Sequence, residues 1–156
     1  MDIRRATMED LERLRPLYDG QLRYMAVCQP RQYRAVRQDG TFIQSEIEAE
    51  QGCVLLAEEN GAVMGFVSVT VEDTGEKAYR VPQRYAVLEN IYVREECRRT
   101  GVGTALFRAA WDWARAGGAG SMQLMTLAEN TRAQQFYRSM GMRFLQHVYT
   151  LEEEAG

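Results

Sequence analysis

The chain has 156 residues, a length that predicts one domain because globular domains average roughly 150 residues. Hydrophobic residues make up 46% of the chain and charged residues 26%, which is typical of a globular protein and excludes a disordered or collagen-like one. The net charge of -3 lacks the positive excess with which proteins hold nucleic acid. We therefore expect a single domain over residues 1–156 with no nucleic-acid partner.

Cysteine and histidine usage and the lack of long apolar runs argue against three further classes of protein. Cys28, Cys53 and Cys97 are odd in number and far apart, which fits a reducing compartment. His147 is the single histidine, so neither a zinc site of the usual spacing nor a Ser-His-Asp triad is expected. The sequence begins without an apolar signal segment, and no run approaches the ~18 apolar residues of a membrane span. We expect a cytoplasmic protein with no metal site and no membrane partner.

The first 25 residues predict a short strand and a helical segment. The strand is expected at 3–6. Thr7 and Asp10 then resemble a capping box that opens a helix. Pro16 follows nine residues after Thr7 and should kink or end that helix, so the segment to about residue 25 is expected to form two helical pieces.

A second helix and a hairpin complete the first half. The helix is expected over 41–51, where apolar residues share one face. The apolar run 53–58 and the β-branched run 63–71 flank the turn signal at 60–61, which predicts a hairpin. The polar stretch 72–84 is expected to be a loop.

Strands and helices alternate in the second half. A strand is predicted at 85–93, a helix at 102–116 closed by two glycines, and a strand at 122–127. A further helix at 131–140 and a last strand at 144–151 follow. Hairpin strands followed by this alternation predict a mixed sheet with helices on its faces.

The most informative stretch, 89–106, runs from a strand through a basic turn into a helix. Gly101 and Gly103 would let phosphate oxygens approach the backbone, and the free N–H groups of a helix start stabilise an anion. Arg98 and Arg99 add positive charge. A Walker loop is disfavoured because no lysine follows the glycines, and a dinucleotide fingerprint lacks the acidic residue expected about twenty positions later. The pattern predicts a phosphate-binding turn, although glycines can also simply cap or kink a chain.

Two motifs resemble those of the GNAT superfamily of N-acetyltransferases. Arg98, Gly101 and Gly103 form its R-x-x-G-x-G pattern. Residues 130–142 resemble its N-x-x-A-x-x-F/L-Y-x-x-x-G-F pattern and depart only at Met142, which replaces an aromatic residue. The order of elements from 53 to about 141 agrees as well. The resemblance implies an α/β (α+β) fold with a mixed, mostly antiparallel central sheet and helices on both faces.

The resemblance also implies acetyl-CoA as the acetyl donor, with its pyrophosphate on the basic turn. The pantetheine arm would lie along the preceding strand and behave like an added strand. Asn130 matches a family asparagine that contacts this arm, although a helix N-cap would need no ligand. The residues expected to bind acetyl-CoA are Ile91, Tyr92, Val93, Arg98, Arg99, Thr100, Gly101, Val102, Gly103, Thr104, Asn130 and Tyr137.

Glu89 is the candidate catalytic base. An alkyl amine with a pKa near 10 is protonated at neutral pH, so a base must accept its proton. Glu89 is a carboxylate in an otherwise apolar strand, and alternation predicts that it shares a face with Val87, Ile91 and Val93. A surface position or an arginine partner would also explain it. The segment 88–93 is similar to the L-E-D/N-x-x-V pattern of family branches that act on polyamines and other small amines.

Tyr137 is the candidate catalytic acid that protonates the departing thiolate, because a phenol stays protonated until well above neutral pH. It matches the family position for a general acid. Ala133, Phe136 and Met140 share its side of the predicted helix, so a purely structural role in the core is the alternative.

The expected function is direct transfer of an acetyl group from acetyl-CoA to a primary amine of a small molecule or peptide. A non-catalytic module that binds acyl-CoA as a sensor is the alternative. After Gly141 only 15 residues remain, which is short for the two closing strands usual in the family. A shortened hairpin, or an edge completed by a second subunit in a homodimer, would account for this.

Overall fold

A computed structural model describes residues 1–154. Within these residues, five strands and four α-helices follow one another. The strands are β1 (Asp2–Arg5), β2 (Gly52–Glu59), β3 (Ala62–Asp73), β4 (Arg84–Val93) and β5 (Met122–Gln123). The helices are α1 (Leu11–Cys28), α2 (Thr41–Ile47), α3 (Val102–Ala116) and α4 (Thr131–Ser139). Among the described residues, no helix combines the length and apolar character needed to cross a membrane.

The strands form one sheet in the order β1-β2-β3-β4-β5. The first four are antiparallel to their neighbours, and β5 is parallel to β4 because α3 carries the chain back across the sheet. The mixed, mostly antiparallel sheet of the predicted α/β fold is confirmed. β5 pairs with β4 only at Ala86 and Val87, so the chain after β5 diverges from the rest of β4.

Helices cover both faces of the sheet, as predicted. On one face, Val67, Val69 and Leu88 pack against Leu106 and Ala110 of α3. On the other face, α1 and α2 cover β2 and β3, and the ring of Tyr18 stacks on Phe66 with centroids 4.1 Å apart. The residues buried on this second face include Leu14, Leu17, Tyr18, Ile43, Ile47, Val54, Leu56 and Phe66. The α1/α2 face and the α3 face are therefore separate apolar layers, and a side chain on β4 belongs to one or the other.

The predicted break at Pro16 is wrong, because α1 continues from Leu11 to Cys28 with the proline inside it. Proline removes one hydrogen bond to the carbonyl four residues earlier, here that of Glu12. Both Pro16 and Glu12 are exposed, so water can hydrate that carbonyl, while Leu14 and Leu17 anchor the helix on both sides of the proline. Tertiary packing thus outweighs the local cost.

Three other predicted elements differ from the structure by more than a residue or two at their ends. The second helix ends at Ile47 rather than at residue 51, and the strand predicted at 122–127 is reduced to two residues because β4 lies beside it only there. The last predicted strand, 144–151, is wrong for this chain: its residues form no strand pairing with the rest of the described chain. The predicted helix over 102–116 agrees with α3 residue for residue.

Asp10 at the start of α1 is almost fully buried and anchors β1 to the helix. Its carboxylate accepts hydrogen bonds from the Thr7 N–H at 2.8 Å, as the predicted capping box requires, and from the guanidinium groups of Arg4 and Arg13 at 2.8 and 2.7 Å. The Arg4 guanidinium is the main reason that the pKa of Asp10 lies well below its usual range. The ionised carboxylate therefore stabilises the fold.

We expect Asp10→Asn to lower the free energy of unfolding at neutral pH by roughly 2 kcal/mol, because two arginines lose a charged partner at a buried position. The folded-state pKa lies below the unfolded value, so this stabilisation is present above about pH 4 and is lost as the pH falls further. Urea unfolding at pH 7 and pH 3 measures it. The difference in stability between wild type and variant should shrink at pH 3, and an equal difference at both pH values would contradict this role of Asp10.

Candidate functional site

The divergence of β4 and β5 leaves one edge of β4 open. Ile91, Tyr92 and Val93 still pair with β3 on their other side. Beyond Val87, no strand within residues 1–154 pairs with the side of β4 that faces β5. Backbone N–H and C=O groups at such an edge can pair with an extended ligand as with a further strand.

The turn between β4 and α3 presents a row of free amides next to this open edge. Within residues 1–154, none of the backbone N–H groups from Arg99 to Thr104 donates a hydrogen bond to another protein group. Gly101 has φ +89, and Arg99 also has a positive φ, so the turn bends through the left-handed region before α3 begins. Free amides at a helix start are suited to hold an anion such as a pyrophosphate.

The two glycines of the turn are explained differently. At Gly101, the left-handed backbone conformation favours glycine, and no atom lies within 4 Å of the position that a Cβ would take. At Gly103, a Cβ would stand 3.7 Å from the ring of Phe136, which is an ordinary contact. Packing within the chain therefore does not require a glycine at 103, whereas close approach of a ligand to the amides would.

Arg98 joins the turn to β4. Its Nε donates a hydrogen bond of 3.0 Å to the carbonyl of Val93, and its guanidinium lies 5.5 Å from the centre of the Tyr92 ring. Arg99 is exposed instead, with its side chain free to meet an anion at the surface. The two arginines thus differ in role: Arg98 holds the turn in place, and Arg99 contributes charge.

Asn130 lies at the start of α4, beyond the gap between β4 and β5. Its Oδ1 accepts a hydrogen bond of 3.2 Å from the N–H of Ala133, so it is the N-cap of α4. The hydroxyl of Tyr24 on α1 donates to the same oxygen at 3.3 Å. The sequence analysis did not single out Tyr24 for this contact, because no local pattern indicates that α1 reaches the α4 end of the gap.

Tyr137 packs in the layer between α3 and α4. Its ring lies 5.5 Å from that of Phe136 and 6.5 Å from that of Phe107. Its hydroxyl makes no hydrogen bond with another group in residues 1–154, and burial raises the pKa of Tyr137 to about 12. The phenol therefore remains protonated at neutral pH and has no structural partner for its proton.

Glu89 occupies a bulge in β4, and the predicted alternation of this strand is wrong. Ser68 lies opposite Asn90 and Val69 opposite Leu88, which leaves Glu89 as an extra residue. Ile91 and Val93 pack on the α3 side, whereas the Glu89 carboxylate accepts a hydrogen bond of 3.3 Å from Thr70. Thr70 follows Phe66 and Ser68 in alternation, so it is on the α1/α2 face. Glu89 therefore projects from the α1/α2 face and not with Ile91 and Val93.

Glu89 lies at an exposed position, as the surface alternative expects. Partial desolvation of its carboxylate nevertheless raises the pKa of Glu89, although the hydrogen bond from Thr70 opposes the shift and the charge of Glu72 adds to it. A raised pKa makes a carboxylate a better proton acceptor. No hydrogen bond joins Glu89 to Tyr137, which packs on the α3 face. The two predicted catalytic residues thus lie on opposite faces of the sheet.

A second carboxylate, Glu46 of α2, lies near Glu89 and was missed by the sequence analysis. It accepts hydrogen bonds from the hydroxyls of Tyr18 and Ser68 at 2.8 and 3.0 Å, and from the amide of Asn90 at 3.1 Å. Within residues 1–154 it forms no ion pair. Burial raises its pKa against these hydrogen bonds, and the charge of Glu89 raises it further. The sequence signal that could have identified Glu46 is the position of this charged residue between Ile43 and Ile47, which are both buried.

A cavity of about 520 Å³ opens beside this carboxylate, between α1, α2, β4 and the segment that joins the two helices. Tyr18 and Asn90, two of the hydrogen-bond donors to Glu46, line it together with Tyr33, Asp39 and Phe42. Cavities of this size usually accommodate small molecules. Because α1 and α2 cover the face of the sheet from which Glu89 projects, the cavity lies on the same face as Glu89.

The described residues include no cluster of metal-ligating side chains, and one of the three cysteines is a core residue. No three His, Cys, Asp or Glu side chains within residues 1–154 are grouped so as to hold a metal ion. Cys28, Cys53 and Cys97 are free thiols, and burial raises the pKa of the Cys53 thiol to about 11. Cys53 is thus a protonated core residue rather than a nucleophile.

Comparisons with known proteins agree with this architecture. Two of the most similar solved structures are a mutant of the BH1408 protein from Bacillus halodurans and an aminoglycoside N-acetyltransferase, AAC(6')-Iy, in complex with CoA. The first has a TM-score of 0.94 at 22% identity and covers 99% of this chain and 100% of its own. The second has a TM-score of 0.72 at 22% identity, with the same coverage. Both share the fold.

Sequence comparisons extend the likeness. A curated relative, the uncharacterized N-acetyltransferase YhfO of Bacillus subtilis, is 27% identical over 141 residues, which is 90% of this chain and 89% of that protein. The model of the acetyltransferase (GNAT) family matches residues 11–142. That match includes α1, the basic turn, Asn130 and Tyr137. The chain therefore belongs to the GNAT family and is a GNAT-type N-acetyltransferase.

Proposed function

We propose that this protein transfers an acetyl group from acetyl-CoA directly to a primary amine of a small molecule. The observation that carries the proposal is the row of free amides from Arg99 to Thr104 beside the open edge of β4. A pyrophosphate and an extended amide-containing arm are the two chemical groups that these features suit. A similar solved structure, AAC(6')-Iy, is an aminoglycoside acetyltransferase in complex with CoA.

In this proposal the basic turn and β4 hold the donor. The amides of Thr100, Gly101, Val102, Gly103 and Thr104 bind the pyrophosphate, with added charge from Arg99 and from Arg98. The backbone of Ile91, Tyr92 and Val93 pairs with the pantetheine arm. Asn130 contacts the arm from the other side of the gap. The acetyl-CoA supplies a thioester whose acyl carbon is open to attack by an amine.

Glu89 and Tyr137 divide the proton transfers. Glu89 accepts a proton from the ammonium form of the amine before attack. The neutral nitrogen then forms its bond to the acyl carbon, the carbon–sulfur bond breaks, and the proton that the nitrogen loses on becoming an amide passes to water. Tyr137 donates a proton to the departing sulfur, so the products are the N-acetylated amine and CoA with a free thiol. Glu89 and Tyr137 lie on opposite faces of the sheet, so they can act in the same reaction only if the reacting groups meet in the gap between β4 and β5.

The α1/α2 face suits a cationic amine. Glu46, Glu89 and Asp39 bring three carboxylates to this side of the sheet, whereas Arg37 is the one cationic side chain among the described residues that line the cavity, and Glu46 forms no ion pair within the described chain. A cavity of about 520 Å³ admits a small molecule rather than a folded protein. An ammonium group would bind next to these carboxylates and lose its proton to Glu89 before attack.

We expect Glu89→Gln to reduce kcat for amines of high pKa by roughly 10 to 1000-fold and to spare amines that are mostly neutral at the assay pH. The substitution keeps the shape and removes the basicity, and only a protonated amine needs the base. Rates for amines of graded pKa, measured at one pH, give the comparison.

Glu48→Gln is the matched control, because Glu48 is an exposed carboxylate at the end of α2 outside the proposed machinery. It should leave all the rates unchanged. An equal loss for every amine in Glu89→Gln would indicate a positioning role, and no loss for any of them would reject Glu89 as the base.

A further inference from the structure

A hydrogen-bonded cluster beside the cavity joins two helices and two strands. The carboxylate of Glu46 on α2 accepts hydrogen bonds from the Tyr18 hydroxyl on α1 and from the Ser68 hydroxyl on β3. The side-chain amide of Asn90 on β4 donates to both Glu46 oxygens at 3.2 and 3.1 Å, and to the Ser68 hydroxyl at 3.2 Å. Tyr18 and Ser68 are both buried. Buried neighbours on two other elements therefore fix the position of the Glu46 carboxylate.

The orientation of the Asn90 side-chain amide follows from the chemistry of this cluster. An ionised carboxylate can only accept hydrogen bonds, and the Ser68 hydroxyl uses its one proton on Glu46, so toward Asn90 it too can only accept. The NH2 group of Asn90 must therefore face both of them, and the carbonyl oxygen, Oδ1, is turned away. An amide in the opposite orientation would lose these hydrogen bonds and bring Oδ1 against two acceptors.

The carbonyl oxygen of Asn90 is an acceptor without a donor. No group in residues 1–154 donates a hydrogen bond to it. Within the same residues, Oε1 of Gln38 is the one buried side-chain polar atom that lacks a partner, so Oδ1 of Asn90 is not enclosed. Asn90 also lines the cavity of about 520 Å³. A molecule in this cavity therefore finds an acceptor whose orientation is already set.

The bulge in β4 brings this acceptor next to the proposed base. Asn90 lies opposite Ser68 and shares its face of the sheet, and Glu89, the extra residue of the bulge, projects from the same face. In a regular strand, two consecutive side chains would point to opposite faces. The bulge thus places a carboxylate and a free carbonyl oxygen, from neighbouring residues, on the face that carries the cavity.

We propose that Oδ1 of Asn90 accepts a hydrogen bond from the primary amine of the acceptor, and that Glu46, acting through Asn90, is a positioning residue, a role that rests on the proposed function. The ammonium form donates one N–H to Oδ1 and gives another proton to the Glu89 carboxylate. The neutral NH2 group that remains is still bonded to Oδ1, and its lone pair is free to attack the acyl carbon. Glu46 keeps the amide from turning over, so the amine meets an acceptor at this point.

Single and double substitutions test this role in the kinetics of a primary amine that supports thiol release. Loss of a hydrogen bond to a charged group should lower kcat/KM for the amine at least about tenfold in Asn90→Ala, with KM for acetyl-CoA unchanged. Glu46→Gln keeps the shape but can donate to Oδ1, which allows the amide to turn over, so a loss is expected there as well. The double variant should lose no more than Asn90→Ala alone, because Glu46 acts through Asn90.

Two exposed residues of α2 and its end provide the matched controls for these substitutions. Glu48→Gln repeats the change of Glu46→Gln, and Gln44→Ala removes a side-chain amide as Asn90→Ala does. Both controls should behave like the wild type. Unchanged kcat/KM in a folded Asn90→Ala variant would overturn the proposal, and losses that add in the double variant would overturn the role of Glu46.

A binding measurement by NMR on the isotope-labelled full chain does not depend on turnover. We expect n-butylammonium to shift the side-chain carbonyl carbon of Asn90. Tetramethylammonium carries the same charge without an N–H donor and should not shift it, and Glu46→Gln should weaken the response to n-butylammonium. A shift of this kind without acetyl transfer would support the contact with Asn90 while rejecting the proposed function. No shift with n-butylammonium up to its solubility, or equal shifts with both cations, would overturn the contact.

Discussion

Gly101→Glu is expected to lower the affinity for acetyl-CoA more than about 100-fold. The new side chain would place a negative charge among the free amides that we assign to the pyrophosphate, and each disrupted charged contact costs about 1–3 kcal/mol. Isothermal titration calorimetry with acetyl-CoA measures the loss directly. No atom of the described chain lies within 4 Å of the Cβ position, so the substitution need not disturb the core.

Two controls separate charge from backbone strain in this experiment. Gly101→Gln introduces the same shape without the charge and should lose clearly less affinity. Gly75→Glu places the same residue at another glycine with positive φ and open surroundings, outside the basic turn, and should leave affinity unchanged. Wild-type affinity in a folded Gly101→Glu variant would remove the turn from the proposed donor site.

Tyr137→Phe is expected to reduce kcat by roughly 10 to 1000-fold while the affinity for acetyl-CoA stays nearly unchanged. The variant keeps the ring that packs against Phe136 and Phe107 and removes only the hydroxyl, which has no hydrogen-bond partner in residues 1–154. Its thermal stability should therefore match the wild type. Steady-state kinetics and thermal unfolding on the same preparation give both quantities.

Tyr149→Phe removes a hydroxyl from a tyrosine that is 90% exposed and serves as the matched control for Tyr137→Phe. It should retain full kcat. If Tyr137→Phe also retains full kcat, Tyr137 is a packing residue and another group protonates the thiol.

Local sequence patterns predicted the elements in which apolar residues recur at one clear spacing. Apolar residues recur at helical spacing over 102–116, and two glycines follow. The same apolar residues form the buried side of α3, and the glycines lie at its end, so the local pattern was enough to predict this helix. The turn at 98–104 was equally accessible, since its glycines, arginines and position between strand and helix are all local features. Predicting α3 and this turn requires no knowledge of residues that are distant in the sequence.

The features that failed depend on contacts between distant segments. The bulge at Glu89 arises from the pairing of β4 with β3, so strict alternation assigned this side chain to the face of Ile91 and Val93. The cluster around Glu46 joins α2 to α1, β3 and β4, and only the assembled sheet brings those donors together. Likewise, the propensity of 144–151 for a strand is real, but within its own chain no strand lies beside it.

Release of free thiol from acetyl-CoA across a panel of amines tests the proposed activity most directly. The panel should contain polyamines, amino acids, aminoglycosides and peptides, and mass spectrometry should identify the product of each reaction that releases thiol. Our proposal predicts thiol release that depends on a small primary amine, with one N-acetylated product formed for each thiol released. Binding of acetyl-CoA without thiol release on any amine would contradict it and would favour a non-catalytic acyl-CoA sensor.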